Sequence, residues 1–338
     1  MHPDSPPSTD TDAAVTDAPA GPSRAALLGA MSLAVVAVSS SAILARYAMG
    51  PSPQVVAGAD GTASALAVAF WRTLAGAVAL APLAWRDRRR GHVTDAATHR
   101  LLGWSGLWLG LHFLLFQGSL ALTTVASSVT LATMSPIFVA LGGWWLLGER
   151  TSRRTWGGMW VTVAGALVIG LADAGAIDLG PRALVGDAMA FGSAIAVTGY
   201  LLIGRRVRPH VPAATYSCLV YAWAALSLAP VVVALGVPLT GYSTATWLAL
   251  AGIVIGPQLL GHTVFNTLLS DVSATIVAIV ILAEPVVATL MALVLLDEVP
   301  ASLFWLGAPL VLIGVAISAT RAGARDTSAA AAEAGADL

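Results

Sequence analysis

Two charged side chains stand inside long apolar stretches of this sequence. Arg72 lies near the middle of one stretch, and Glu284 lies near the middle of another, directly before Pro285. A charge at the centre of a membrane span costs about 2.5–3.5 kcal/mol on insertion scales, so such residues usually face a cavity or a partner. Arg72 and Glu284 are therefore candidates for a substrate or ion pathway.

Each of these two residues has a functional and a structural interpretation. Arg72 could anchor an anion or a carboxylate, because the guanidinium group recognises carboxylates well. Glu284 could carry a coupled proton, and Pro285 beside it frees a backbone carbonyl and can kink the helix. Alternatively, Arg72 and Glu284 form a permanent structural bridge. The sequence leaves both alternatives open.

Neutral polar residues mark a second candidate surface. Gln258, His262 and Asn266 are spaced four residues apart, which places them on one face of a helix. His112 occupies a comparable apolar stretch in the first half of the chain, with Gln117 close by. Such side chains are expected to line a cavity or to hydrogen-bond to a neighbouring helix rather than face lipid.

No sequence motif for an enzyme competes with this interpretation. The chain lacks the HExxH, GxSxG and P-loop patterns, and its 17 basic residues are all arginine, so a Walker lysine is excluded. Cys218 is the single cysteine. We therefore predict no enzymatic activity, no cofactor and no metal site. The net charge of −1 gives no indication of nucleic-acid binding.

The elements that position these residues follow from composition. The chain is 57% hydrophobic and only 10% charged, with a mean hydropathy of +0.81. Soluble domains carry about 25% charged residues, so this surface must meet lipid. A span needs about 20 apolar residues, and we predict an all-α membrane protein with ten such helices, at residues 27–47, 64–85, 101–120, 123–147, 156–172, 183–204, 215–236, 246–268, 272–296 and 302–320.

The positions of the arginines predict the orientation. With the N-terminus in the cytoplasm, 14 arginines fall in inside loops and only Arg182 falls in an outside loop. This is the positive-inside pattern, so both termini are expected in the cytoplasm of a cell (inner) membrane. Residues 1–25 and 321–338 are predicted to be disordered cytoplasmic tails, because they lack hydrophobic periodicity.

An internal repeat relates the two halves of the chain. Pro136 and Pro285 are 149 residues apart, and so are Glu149 and Glu298. We therefore predict a first repeat at 26–173 and a second at 181–320. Five spans in each repeat make the second copy inverted, which is a recurrent plan of secondary transporters, with the binding site near mid-membrane.

The two copies resemble the EamA-type repeat of the drug/metabolite transporter superfamily. The first copy contains the sequence SPIFVALGGWWLLGER, with the mid-helix Pro136 and the terminal Gly148–Glu149 pair. The second copy matches it at Pro285 and Glu298 but has Asp297 where the pattern has glycine. The resemblance implies ten helices and efflux of amino acids, other metabolites or drugs, often coupled to protons.

Together these features predict a secondary transporter that exports amino acids or related small metabolites by alternating access, with proton coupling as an option. Drug efflux or metabolite uptake by the same fold are alternatives, and a non-transporting membrane scaffold is an alternative of a different class. The expected partners are a small-molecule substrate and the lipid bilayer. A homodimer stays open.

Overall fold

The computed structural model describes residues 23–58, 61–123, 125–173, 180–296, 299 and 302–319. The regular elements in this part of the chain are helices, and eight helical stretches are long and apolar enough to cross a membrane. The prediction of an all-helical membrane protein is therefore confirmed, whereas the count of ten spans stays a prediction. Nearly all of the two predicted tails, and Glu298, lie outside the described residues.

The described residues of the first half of the chain form seven helical segments. Ser23, Ser64 and Asp95 each accept a hydrogen bond from the backbone N–H three residues later, which satisfies a free donor where a helix begins. The segments are α1 (Arg24–Ser39), α2 (Ser41–Met49), α3 (Ala65–Arg89), α4 (Ala96–Leu122), α5 (Val125–Ala132), α6 (Ser135–Leu147) and α7 (Arg153–Asp173).

In the second half, the part that the structure describes forms seven α-helices and one π-helix. The π-helix continues α10 without a turn and passes directly into α11, so the three segments make one rod. The segments are α8 (Pro181–Val207), α9 (Ala213–Ala234), α10 (Thr244–Ile253), the π-helix (Val254–His262), α11 (Thr263–Leu268), α12 (Ala274–Ile281), α13 (Glu284–Leu296) and α14 (Phe304–Ala319).

The repeat inferred from sequence reappears in two interrupted helices. The α5–α6 rod is interrupted at residues 133–134, and the α12–α13 rod at residues 282–283, which is 149 residues later. In both rods a proline is the second residue after the interruption, Pro136 in α6 and Pro285 in α13. Proline lacks the N–H that an α-helix needs at this position and disfavours the helical conformation of the preceding residue, so each rod breaks there.

Glycines hold α7 and α14 in backbone contact. A Cβ atom added to Gly165 would lie 2.8 Å from the carbonyl oxygen of Gly307, and one added to Gly158 would lie 2.7 Å from that of Gly314. No side chain fits at these distances, so glycine is required for the approach. The two copies of the repeat therefore meet directly along this helix pair.

The remaining helices interlock the two halves. Helix α4 packs against α8 and α9, α3 packs against α9, and α1 packs against the π-helix. One hydrophobic core accordingly contains side chains from both halves, including Leu66, Phe113, Tyr200 and Phe265. Large apolar side chains such as Trp145, which is 80% exposed, cover the outside, as expected for a surface that meets lipid.

Candidate functional site

The two interrupted helices line an internal cavity. Ala132, Thr133 and Ser135 reach it from the α5–α6 rod, and Ile281 and Glu284 reach it from the α12–α13 rod. Its volume is about 60 Å³, which is room for a few water molecules. The interruptions that proline imposes therefore lie against an internal space that Arg72 and Glu284 also line.

Arg72 enters this cavity from α3 and is 1% exposed. Its Nε donates to Oε1 of Gln258 at 2.9 Å, and its Nη1 donates to Oγ of Ser41 at 3.3 Å. The guanidinium carbon lies 3.8 Å from the centre of the Phe113 ring, a cation–π distance. Nη2 is buried and has no hydrogen-bond partner in the described part of the chain. The side chain is fixed, and one of its three nitrogens has no hydrogen-bond partner among the described residues.

Glu284 is the first residue of α13 and lines the same cavity. It does not form an ion pair with Arg72; the ion pair found among the described residues joins Glu149 to Arg205. The start of a helix carries a partial positive charge, which favours a carboxylate there. The permanent Arg72–Glu284 bridge that the sequence left open is absent from this conformation.

Two histidines form an aromatic wall of the cavity. The His112 and His262 rings lie 6.4 Å apart between centroids, and His262 meets the Phe113 ring edge-on at 5.0 Å. Nδ1 of His112 lies 3.0 Å from the carbonyl oxygen of Ser193, and its ring stacks on Phe116. The structure therefore brings the two predicted histidines together.

Asn266 and Gln117 lie outside the lining of the cavity. Asn266 donates to Oγ of Ser217 at 3.0 Å and accepts a hydrogen bond from Tyr200, so it joins α11 to neighbouring helices. Gln117 is fully buried, and its side-chain oxygen and nitrogen have no hydrogen-bond partner in the part of the chain described.

The π-helix sets the position of Gln258. Its backbone carbonyl accepts hydrogen bonds from Tyr221 at 3.3 Å and from Oγ1 of Thr263 at 3.1 Å, while its side chain holds Arg72. π-helical turns are rare and are frequent at functional sites. Sequence reasoning missed this element, although Pro257 inside the apolar stretch was a signal of irregular backbone.

Glu149 makes a contact between the two halves at the end of α6. Gly148 has a positive φ of 68°, and the Glu149 N–H returns to the carbonyl of Gly143, which turns the carboxylate back toward the bundle. Oε1 of Glu149 accepts from Nε of Arg205 at 2.9 Å, and Arg205 also donates to the carbonyls of Leu269 and Ser270. We call this set the Glu149–Arg205 clasp.

The fold and the site together define a class of protein. A bundle of apolar helices, two of them broken beside a charged internal cavity, is the architecture of a multi-pass membrane transporter. The chain belongs to the EamA-like transporter family, whose profile matches residues 25–171 and 184–320. The resemblance inferred from the repeat motifs is therefore confirmed.

Individual relatives are consistent with this family. The chain is 25% identical to the uncharacterized transporter YwfM of Bacillus subtilis (strain 168) over 280 residues, covering 81% of this chain and 91% of that protein. It is 29% identical to the uncharacterized transporter YetK of the same organism over 98 residues, covering 29% of this chain and 30% of that protein. A solved crystal structure, 21% identical, matches with a TM-score of 0.68 over 89% of this chain and 98% of that one, and shows the fold alone.

Proposed function

We propose that this protein is a secondary transporter that exports amino acids or related zwitterionic metabolites by alternating access, with ten helices in two inverted five-helix repeats. Family membership supports transport as such. The observation that carries the substrate class is that Arg72 and Glu284 line one cavity without pairing to each other.

An arginine and a glutamate that line one cavity without pairing favour binding of a ligand with groups of both charges. The charged form of each group carries a desolvation cost of several kcal/mol, which a partner of opposite charge offsets. Arg72 keeps Nη2 free, and Glu284 has no ion-pair partner among the described residues. A molecule with a carboxylate and an ammonium group would satisfy both, because each pole then forms a charge-assisted hydrogen bond.

The small volume of the cavity supports alternating access. A volume of about 60 Å³ holds only a few waters, so substrate binding requires a different arrangement of the lining helices. The Glu149–Arg205 clasp joins the two halves at one end of the bundle. In a transporter with an inverted repeat, the conformation open at one end and the conformation open at the other end are related to each other. Alternating access is the exchange between these two conformations.

Proton coupling is a second part of the proposal, carried by Glu284. A bare carboxylate crosses the membrane interior only at high cost, so it moves either protonated or paired with a cation. Suppose that the substrate ammonium group and a proton compete for Glu284. After the substrate is released outside, the protein then returns to its inward-facing conformation with a proton on Glu284. Export would then be driven by proton flow in the opposite direction.

The test is flux in liposomes containing the purified chain, with a panel of amino acids and an imposed pH gradient. Each transported amino acid is compared with its methyl ester, which lacks the carboxylate, and its N-acetyl derivative, which lacks the ammonium group. We expect the parent compound to be transported and both derivatives to fail. Arg72→Lys and Glu284→Gln should each reduce flux of the parent, since each weakens one pole.

The derivatives also separate the outcomes. Equal transport of an amino acid and its N-acetyl derivative would remove Glu284 from substrate recognition. Flux of amphipathic drugs with none of amino acids would favour drug efflux instead. No gradient-dependent flux across a broad panel would favour the scaffold interpretation.

A further inference from the structure

A cluster of exposed arginines surrounds the connection between α3 and α4. We call it the basic patch; it consists of Arg86, Arg88, Arg89, Arg90 and Arg100. Two carboxylates lie among them, and each is engaged locally: buried Asp87 accepts from Oγ1 of Thr215 at 3.1 Å, and Asp95 accepts from the Thr98 N–H at 2.8 Å. Five arginines and two carboxylates give this region a formal net charge of +3, so the patch presents a positive surface.

A groove of about 750 Å³ begins beside this patch and runs between α4 and α9. Trp104 and Leu107 form one wall, and Trp223 and Leu226 form the other. Gly103 opens the floor, because a Cβ atom there would already touch the Trp223 ring at 3.7 Å. The polar end of this α4–α9 groove contains Asp95, His99 and Arg100.

The groove has the depth and polarity of one lipid leaflet. From Ala96 to Leu107, α4 rises about 16 Å at 1.5 Å per residue, and half of the bilayer core is about 15 Å. Trp85, 57% exposed, stacks under the Arg89 guanidinium at 3.7 Å. Exposed tryptophan beside arginine is typical of the headgroup level, so the patch lies at the surface and the groove descends from it.

We propose that the α4–α9 groove binds an anionic phospholipid. The acyl chain lies over Gly103 between Trp104 and Trp223, and the phosphate meets Arg100 at the edge of the basic patch. Trp104 and Leu226 are each 57% exposed on membrane-spanning helices and so face the bilayer, which makes a lipid the fitting occupant. The positive charge selects an anionic headgroup over a zwitterionic one.

Native mass spectrometry of the purified full chain tests this with equal amounts of phosphatidylglycerol and phosphatidylethanolamine of the same acyl chains. We expect phosphatidylglycerol to be retained about fivefold more, the ratio that one charge contact supplies. Arg100→Ala should reduce this preference toward parity. Gly103→Leu fills the floor of the groove and should reduce retention of both lipids. If Gly103→Leu does not fold, Trp104→Ala, which removes one wall of the groove, replaces it and should have the same effect.

Arg154→Ala is the matched control, since Arg154 is an exposed arginine outside the groove, and it should leave the preference unchanged. Equal retention of the two lipids by the unmodified chain would overturn the proposal. So would an equal effect of Arg154→Ala and Arg100→Ala. Displacement of phosphatidylglycerol by glycerol phosphate as effective as by intact lipid would overturn it too, in favour of a free anion site. None of these measurements depends on transport, so their outcome does not decide whether the proposed transport function is correct.

Discussion

At the scale of single residues, the site is defined by how Arg72 is held. Gln258 and Ser41 accept hydrogen bonds from two of its nitrogens, Phe113 lies under its guanidinium, and the third nitrogen has no hydrogen-bond partner in the described part of the chain. A guanidinium fixed in this way is already oriented before a ligand arrives, which reduces the ordering cost of binding. Residues that hold Gln258 should therefore affect substrate affinity although they do not line the cavity.

Tyr221→Phe tests this dependence. The change removes hydrogen bonds to the Gln258 carbonyl and to Thr263, so we expect the KM for transport to rise about fivefold, since such a bond is worth about 1 kcal/mol. The matched control is Tyr216→Phe, because Tyr216 lies on the same helix, is equally buried and bonds to Ser105 instead. Flux kinetics and thermal unfolding are measured for both. Tyr221 is not a positioning residue if the two variants lose the same stability and have the same effect on KM, whether KM rises in both or stays unchanged in both.

Glu284→Gln tests the proton step. Glutamine keeps the shape of the side chain but binds no proton, so we expect flux that no longer depends on an imposed pH gradient. Downhill exchange of labelled for unlabelled substrate should persist at a reduced rate, which shows that the variant is folded. A pH response identical to that of the unmodified protein would exclude Glu284 as the coupling residue.

At the scale of elements, the Glu149–Arg205 clasp joins the end of α6 to α8 and to the turn after α11. An ion pair that is roughly three-quarters buried, with two further hydrogen bonds to carbonyls, should favour the closed form of this end by about 1–2 kcal/mol. That energy corresponds to about a five- to thirtyfold change in population.

Opening of the clasp can be measured with a cysteine at Ser135, which lines the cavity. In a Cys218→Ser background, Arg205→Ala should speed modification of that cysteine by a reagent applied from the Glu149 end. The control is Arg206→Ala, because Arg206 is the neighbouring arginine and is exposed. Restoration of the slow rate by the combined Glu149→Arg and Arg205→Glu exchange would confirm the pair, whereas equal rates in the Arg205 and Arg206 variants would contradict it.

The α7–α14 contact gives a prediction on stability. Gly165→Ala places a methyl group 2.7–2.9 Å from atoms of α14, and such overpacking should destabilise the fold by about 1–3 kcal/mol. Gly157→Ala on the same helix is the control, since its Cβ would meet nothing within 4 Å. Thermal unfolding in detergent compares the two. Similar melting temperatures would show that the helices can move apart without cost.

At the scale of the whole molecule, the orientation in the membrane is open to direct test. Single cysteines replace exposed His92 and exposed Thr240 in a Cys218→Ser background. With both termini in the cytoplasm, a membrane-impermeant maleimide should label Thr240→Cys on intact cells and His92→Cys only after permeabilisation. The opposite pattern would reverse the predicted topology.

Regular features of this molecule were predictable from sequence because they depend on local composition. Apolar length determines where helices run, and proline determines where two of them break. The π-helix and the Phe113 contact were not predictable, because they depend on how distant helices pack. Gly261, for example, lets the π-helix approach Val38 so closely that an added Cβ would lie 2.5 Å from its side chain. The partner of Glu149 likewise becomes visible only when α6 and α8 are brought together.

The glycine contact between α7 and α14 has a mechanical consequence. Because the two helices belong to different copies of the repeat and touch through their backbones, sliding or tilting one against the other meets immediate steric resistance. The contact therefore resists movement of α7 and α14 relative to each other. We expect any rearrangement at the cavity to take place instead in the two rods that line it, which are interrupted at residues 133–134 and 282–283.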